Sequence, residues 1–295
     1  MITILKKIIQ KIQEAYQIQQ QESRLKKFFS NGKIPWSIGY EDYKWEQIKQ
    51  KLEDKELPGR ISTKELPFGY GKGIDERIIE YPWILSKLKN ELTKLLDAGS
   101  TFNFETIVNI ELIAKKELTI FTYFPEPVNF NLKRISYHYG DLRSISFRDQ
   151  WFDEIVCQST LEHIDMDNSM YGYSLNSQVA SNEKNYEFMH VVYELERTLK
   201  SSGTLLMTVP FGRYERHSFF QQFDSEMISR IISFLKNLGK VDLTYFKYEK
   251  EGWMFSDQAN CENSISFNPN TGAGKGDDGA AHSRAICCIY FAKEK

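Results

Sequence analysis

A chain of 295 residues with 41% hydrophobic content is long enough for one large domain, or one domain with an appendage, around a substantial core. Its 38 Lys and Arg against 40 Asp and Glu give a formal net charge of -2, without the whole-chain basic footprint of a nucleic-acid binder, so no nucleic-acid partner is expected. Cys157, Cys261, Cys287 and Cys288 form no CxxC pair and two of them are adjacent in an apolar run, which suits neither a zinc site nor a disulfide framework. The expectation is therefore no metal and reduced, mostly buried thiols in a cytoplasmic protein. No apolar run reaches the roughly 18 residues of a membrane span, and the N-terminus lacks the pattern of a signal peptide.

Residues 2–29 place Leu5, Ile9, Ile12 and Tyr16 on one helical face, with Lys6, Lys7 and Lys11 elsewhere. Packing on its own domain or on a partner helix is the simpler reading of such a helix. The alternatives are helix-mediated self-association or peripheral contact with the anionic inner membrane surface. Between residues 31 and 73, Gly and Pro punctuation with Trp36, Tyr40, Tyr43 and Trp45 suggests a compact cap with a short helix over 43–52, a lid on the substrate side. A boundary near residue 80 separates this N-terminal cap (1–80) from the main domain (81–295).

From Pro82, which suits the first position of a helix, the pattern becomes regular. Ile84, Leu85, Leu88 and Leu92 form an apolar face, followed by strands at 95–98, 118–123, 134–139 and 152–157, with a helix at 104–115. A helix at 186–199 leads into a strand at 204–209. Asp224 reads as an N-cap and Gly239 as the stop of the next helix, before strands at 241–248 and 285–291. Alternation of this kind predicts an α/β fold with a mainly parallel sheet covered on both faces. Ligands of open α/β sheets bind at the carboxyl ends of the strands.

Two such ends lie in the stretch Gly140 to Ile164, where Asp141 follows one strand and Ser159 to His163 follows another. A third is the turn Asp97-Ala98-Gly99-Ser100-Thr101-Phe102-Asn103, whose small residues open onto a helix and offer N–H groups and a favourable dipole to an anion. The ordered segments LLDAGSTFN, GDLRSISF, FDEIVCQSTLEHI and ELERTLKSSGTLLMTVPFG resemble the class I S-adenosylmethionine-dependent methyltransferases over about half the chain. Through PWSIGY, YPWIL and the glycine-poor DAGSTFN turn, the nearest subset is the methyltransferases of polysaccharide and cell-surface glycan biosynthesis.

The resemblance implies a Rossmann-like sheet of seven strands, the last antiparallel, S-adenosylmethionine as cofactor and a small-molecule or glycan acceptor methylated on oxygen. It places Asp97 and Gly99 under the methionine part of the cofactor, with Ser100 and Thr101 presenting backbone to its carboxylate. Asp141 and Leu142 fall at the adenine and Ser159 beside the methionyl end, with Glu162 and His163 facing the transfer cleft as candidate bases. The sequence departs from the family pattern at Thr101 and Asn103, where the family has glycines, and at the second strand, which offers only Thr122, Tyr123 and the later Glu126 where a ribose acid is usual. These departures motivate the alternative of a catalytically silent member of the fold that acts as a binding module.

Other candidates rank lower. The segment NTGAGKGDDG lacks the spacing of a P-loop around Lys275 and reads as a loop near the cleft mouth, where Asp277, Asp278, His282 and Arg284 are polar candidates. His138 and His190 read as structural, and Glu215 and His217 are further site candidates. Trp36, Tyr40 and Trp253 could stack on a sugar but read more simply as packing.

Overall fold

A computed structural model describes residues 2–169 and 183–295, apart from the side chains of residues 2–10 and 14. Four helices come first: α1 (Ile2–Ser30), α2 (Tyr40–Glu53), α3 (Leu57–Ser62) and α4 (Arg77–Lys87). The alternating part follows with β1 (Lys94–Ala98), α5 (Glu105–Val108), α6 (Glu111–Ala114), β2 (Glu117–Thr122), β3 (Ile135–Tyr139), β4 (Phe152–Gln158), a 3₁₀ turn at Leu161–His163, α7 (Phe188–Thr198) and β5 (Leu199–Pro210). A two-stranded hairpin of β6 (Glu215–Arg216) and β7 (Gln221–Gln222) precedes α8 (Ser225–Leu235), β8 (Gly239–Glu249), β9 (Gly252–Ser256), α9 (Gln258–Cys261) and β10 (Ala285–Lys293).

The main sheet runs β3-β2-β1-β4-β5-β10-β8-β9. Its first five strands are parallel, and β10 is inserted antiparallel between β5 and β8. The antiparallel last strand is thus as expected, and β9 adds an eighth strand at the edge. Successive residues of the central strands face opposite sides, as the pleat requires. Leu96, Ile155, Leu205 and Cys287 enter one core with α7 and α8, while Leu95, Val156, Leu206 and Cys288 enter the other with α2 to α4. The adjacent Cys287 and Cys288 are therefore split between two cores, and all four cysteines are free and buried.

Several local expectations need correction. Pro82 lies inside α4 rather than at its start. The backbone bond that proline cannot make leaves the Ile78 carbonyl open, and the Tyr70 hydroxyl donates to it at 3.0 Å. The single helix expected at 104–115 is two short ones, broken where Ile110 is extended. The β-branched run Thr106, Ile107, Val108 is a weak helix former, and Arg134 Nη2 donates to the freed Val108 carbonyl at 2.5 Å. Asp224 does cap α8, accepting from the Met227 amide at 3.1 Å, but Gly239 opens β8 instead of stopping that helix.

α1 packs through its C-terminal end, where Phe28 is buried and Arg24 pairs with Asp42 at 2.6 Å. Ile12, Tyr16 and Ile18 are exposed; the side chains of Leu5, Lys6, Lys7 and Ile9 lie outside the described residues. Among the described residues, no helix is long and apolar enough to cross a membrane, and no group of His, Cys, Asp and Glu is placed to hold a metal ion.

Candidate functional site

The carboxyl ends of β1 to β4 open on a cavity of about 370 Å³, the size of a small-molecule site. Gly99, Ser100 and Thr101 line it from the turn after β1, Glu126 from the loop after β2, Asp141 and Leu142 from the loop after β3, and Ser159, Thr160 and His163 from the loop after β4. The opposite wall comes from the helical cap, through Glu41, Lys44 and Trp45 of α2 and Arg77 and Tyr81 of α4.

The turn after β1 is built from inside. Asp97 is fully buried and outside the cavity wall. Its Oδ1 accepts from the Thr101 amide at 3.1 Å and the Thr101 hydroxyl at 3.0 Å, and its Oδ2 from the Phe102 amide at 2.7 Å. Gly99 N–H donates to the Phe121 carbonyl and Asn103 N–H to the Ser100 carbonyl. The Thr101 amide that was expected to meet a ligand is therefore spent within the turn, and the helix that follows is only four residues long. Thr101 and Asn103 do not fill the cavity in place of glycines. Thr101 turns to Asp97, and Asn103 Nδ2 donates to Glu126 at 2.8 Å and to the Val128 carbonyl at 3.0 Å while its Oδ1 accepts from the Tyr137 hydroxyl at 3.0 Å.

Burial pushes the Asp97 carboxyl up to about 7, against its three donors. An acid whose folded pKa exceeds its unfolded value keeps its proton longer in the folded state. Ionising it then costs stability as pH rises, here from about 4 to about 7. Asp97→Asn is expected to flatten that part of the stability–pH profile and, by leaving a donor facing the Phe102 or Thr101 amide, to cost about 1–3 kcal/mol at low pH. Urea unfolding of both proteins at several pH values checks it; parallel profiles would contradict the assignment.

Two serines at the cavity hold left-handed backbone: Ser100 with φ 63° and Ser159 with φ 39°. Such conformations cost about 1–3 kcal/mol in a non-glycine residue and persist when surrounding structure holds them. Each is tied to a carboxylate, Ser100 Oγ to Glu126 at 2.8 Å and Ser159 Oγ to Glu80 at 2.5 Å. Glu80, fully buried on α4, also accepts from Thr208 Oγ1 at 2.6 Å, Arg77 Nη1 at 2.6 Å and Gln158 Nε2 at 3.1 Å. It thereby fastens the cap to the ends of β4 and β5. Neither Glu80 nor Arg77 figures in the sequence expectations, although a lone carboxylate in the apolar run Ile78-Ile79-Glu80-Tyr81-Pro82-Trp83 is a readable signal that burial must be matched by partners.

At the loop after β3, Arg143 grips Asp141 with Nε 3.1 Å from each carboxylate oxygen and Nη2 2.8 Å from Oδ2. Partial burial opposes the charge on Asp141, but the Arg143 side-chain and backbone hydrogen bonds outweigh it and hold the carboxyl below its usual range. At the loop after β4 the two candidate bases part company. Glu162 is buried outside the cavity wall, with Oε2 making no hydrogen bond, and burial pushes its carboxyl well above the usual range. Its carboxyl is thus absent from the lining of the cleft that a base would face. His163 does line the cavity; its Nδ1 donates to the Phe219 carbonyl at 2.7 Å and its ring stacks on Phe219. Burial pushes the imidazole down to about 4, so it is neutral at physiological pH, with the acceptor lone pair on Nε2.

The lower-ranked candidates fall outside this cavity. Trp253 is buried and donates to the Ile74 carbonyl, Tyr40 is buried against Asp75, and Trp36 donates to the Ala281 carbonyl. Glu215 accepts from the Ser266 amide, and His217 stacks on Phe220. Asp278 pairs with Arg284 at 2.5 Å, and His282 with Glu76 at 3.2 Å. His138 packs at a tilt against Phe147, and His190 meets Tyr193 edge-on.

The sheet order, with its antiparallel last strand inserted beside β5, decides the architecture. This is a Rossmann-like α/β fold with the antiparallel last strand that the resemblance implies. No protein-family model matches the chain, and no curated protein matches it. Among solved structures it is similar to an S-adenosylmethionine-dependent methyltransferase from Methanosarcina mazei, with 13% identity, TM-score 0.43, and 73% of this chain and 99% of that one covered. It is similar to the 1,6-didemethyltoxoflavin-N1-methyltransferase of Burkholderia thailandensis, bound to its substrate and S-adenosylhomocysteine, with 10% identity, TM-score 0.40, and 70% and 72% covered. The N-methyltransferase NodS of Bradyrhizobium japonicum, also with S-adenosylhomocysteine, shows 12% identity, TM-score 0.40, and 85% and 99% covered.

Proposed function

We propose that this protein is an S-adenosylmethionine-dependent methyltransferase that transfers the methyl group to a hydroxyl of a sugar or glycan-like acceptor. The observation that carries the reading is the convergence of four strand-end loops on one cavity, with Gly99, Glu126 and Asp141 among its lining residues. That arrangement fits a nucleoside with a charged tail, since carboxylates accept from ribose hydroxyls and an exocyclic amine.

In this reading Asp141 and Leu142 hold the adenine end and Glu126 the ribose. Tyr81 donates to the Thr101 carbonyl at 2.5 Å, so Arg77, one turn earlier on the same face of α4, lies at the tail end of the cavity. Arg77 and the Ser100 amide receive the carboxylate there. Bound S-adenosylmethionine supplies a methyl group made electrophilic by its sulfonium sulfur. The chain's own part is to align the acceptor, an effect that can supply about 7–11 kcal/mol of a barrier. Trp45, packed 4.4 Å from the Phe104 ring, offers an apolar face to a sugar. His163 Nε2, left as the acceptor by the Nδ1 bond to the Phe219 carbonyl, would take the hydroxyl proton as the sulfur–methyl bond breaks and the oxygen–methyl bond forms, with S-adenosylhomocysteine as the leaving group.

The test is calorimetric titration with S-adenosylmethionine and S-adenosylhomocysteine. Saturable binding is expected, weakened about tenfold or more by Asp141→Ala and by Glu126→Gln, each of which removes a charge-assisted acceptor. No heat and no thermal shift at millimolar concentrations would reject the enzyme and favour the silent binding module.

A further inference from the structure

A second cavity, of about 440 Å³, lies on the other side of α2. Tyr43, Gln47 and Lys51, at four-residue spacing, face it, whereas Glu41, Lys44 and Trp45 face the first cavity. The rest of its wall comes from the end of α1, the loop 69–74, and Asp278 and Gly279 of the loop before β10.

Its charge is unbalanced. Lys72 pairs with Glu251 at 2.9 Å, and Asp278 is taken by Arg284. Lys33 and Lys51 have no ion-pair partner among the described residues. Both are instead steadied by aromatic faces: Lys33 Nζ lies 5.3 Å from the Phe29 ring centre and 5.6 Å from that of Tyr43, and Lys51 Nζ lies 5.2 Å from that of Tyr70. A ring face orients an ammonium without neutralising it, so two positive charges remain directed at one concavity. Its rim is kept clear by Gly32, Gly69 and Gly73, all at φ between 73° and 78°, where an added Cβ would meet nothing within 4 Å. These glycines are needed for backbone conformation, and the space beside them stays open to a ligand.

We propose that this cavity is a binding site for a phosphate-bearing ligand, held between Lys33 and Lys51. Ammonium groups with donors to spare recognise such an anion, and the carboxylate among the lining residues, Asp278, is already paired with Arg284. The site is independent of the methyltransferase reading, since none of these residues belongs to the first cavity.

Two arms test it with the full chain: calorimetric titration with sodium pyrophosphate at low salt, and co-sedimentation with phosphatidylcholine vesicles with and without phosphatidic acid. One-to-one binding is expected in at least one arm, weakened about tenfold by Lys33→Gln or Lys51→Gln and lost in the double variant. It is expected to survive Lys51→Arg, with melting temperatures unchanged in all four. Binding in the vesicle arm alone identifies a lipid headgroup as the source, and binding of pyrophosphate identifies a free phosphorylated ligand. Absence of binding in both arms, or binding that persists in the correctly folded double variant, overturns the proposal.

Discussion

Glu80→Ala is expected to lower the free energy of unfolding by about 3–5 kcal/mol, the usual cost of removing one member of a buried, hydrogen-bonded ion pair. Four donors lose their acceptor together: Ser159, Thr208, Arg77 and Gln158. Two of them, Gln158 and Thr208, are completely buried and have no water to turn to. Glu80→Gln keeps the volume and one acceptor oxygen, so a smaller loss is expected. Urea denaturation of the three proteins measures the difference. If the alanine variant lost less than about 1 kcal/mol, within the range of an ordinary hydrogen bond, Glu80 would not be the fastening point of the cap. Because Ser159 is held in left-handed backbone by this bond, ligand affinity is expected to fall in Glu80→Gln even where the fold survives.

Gly99→Ala is expected to be equally damaging at a single methyl group. The residue has φ +124°, and a Cβ there would lie 2.1 Å from Thr160 Oγ1 and 2.8 Å from Thr160 Cγ2. The strained backbone costs about 1–3 kcal/mol and the overpacking a similar amount, for a total loss of about 2–6 kcal/mol in thermal or urea unfolding. Thr160 follows Ser159 on the loop after β4, so relief by movement would displace the cavity wall, and loss of S-adenosylhomocysteine binding is expected alongside. Gly99→Ala combined with Thr160→Ser, which removes Cγ2 but leaves Oγ1, should recover little. Substantial recovery would show that the hydroxyl rotates away and that the clash is cheap.

Much of the architecture is legible in the amino-acid order because strand signals here are local. The runs that form β1 to β4 are short and bounded by turn residues, and their bounds in the structure lie within a residue of those read from the pattern. The cavity-lining positions Gly99, Ser100, Asp141, Leu142, Ser159 and His163 are equally readable, being the first residues beyond such strands. Glu162 shows where that reading stops. It is next to His163 in the chain, and its Oε1 lies 4.0 Å from His163 Nε2, yet only His163 lines the cavity while Glu162 is buried. The helices at 104–115 and around Pro82 misled for a related reason, because Arg134 and Tyr70, both outside the helices they serve, supply the hydrogen bonds that compensate a break and a proline.

What the sequence alone determines about this protein is its class and the order of its strands and loops, since hydrophobic periodicity and turn chemistry act over a few residues. The tertiary structure decided which polar groups work as ligand contacts and which are consumed as internal struts. Asp97, a site candidate by position, is spent on the amides of its own turn. Glu80, an unremarked acid in an apolar helix, became the strut for both Ser159 and Arg77. Glu126, four residues past its strand, folds back to the Ser100 turn and brings an acid to the cavity. That division depends on donor–acceptor partners from remote segments and on the burial they share, and neither is a property of any one stretch of chain.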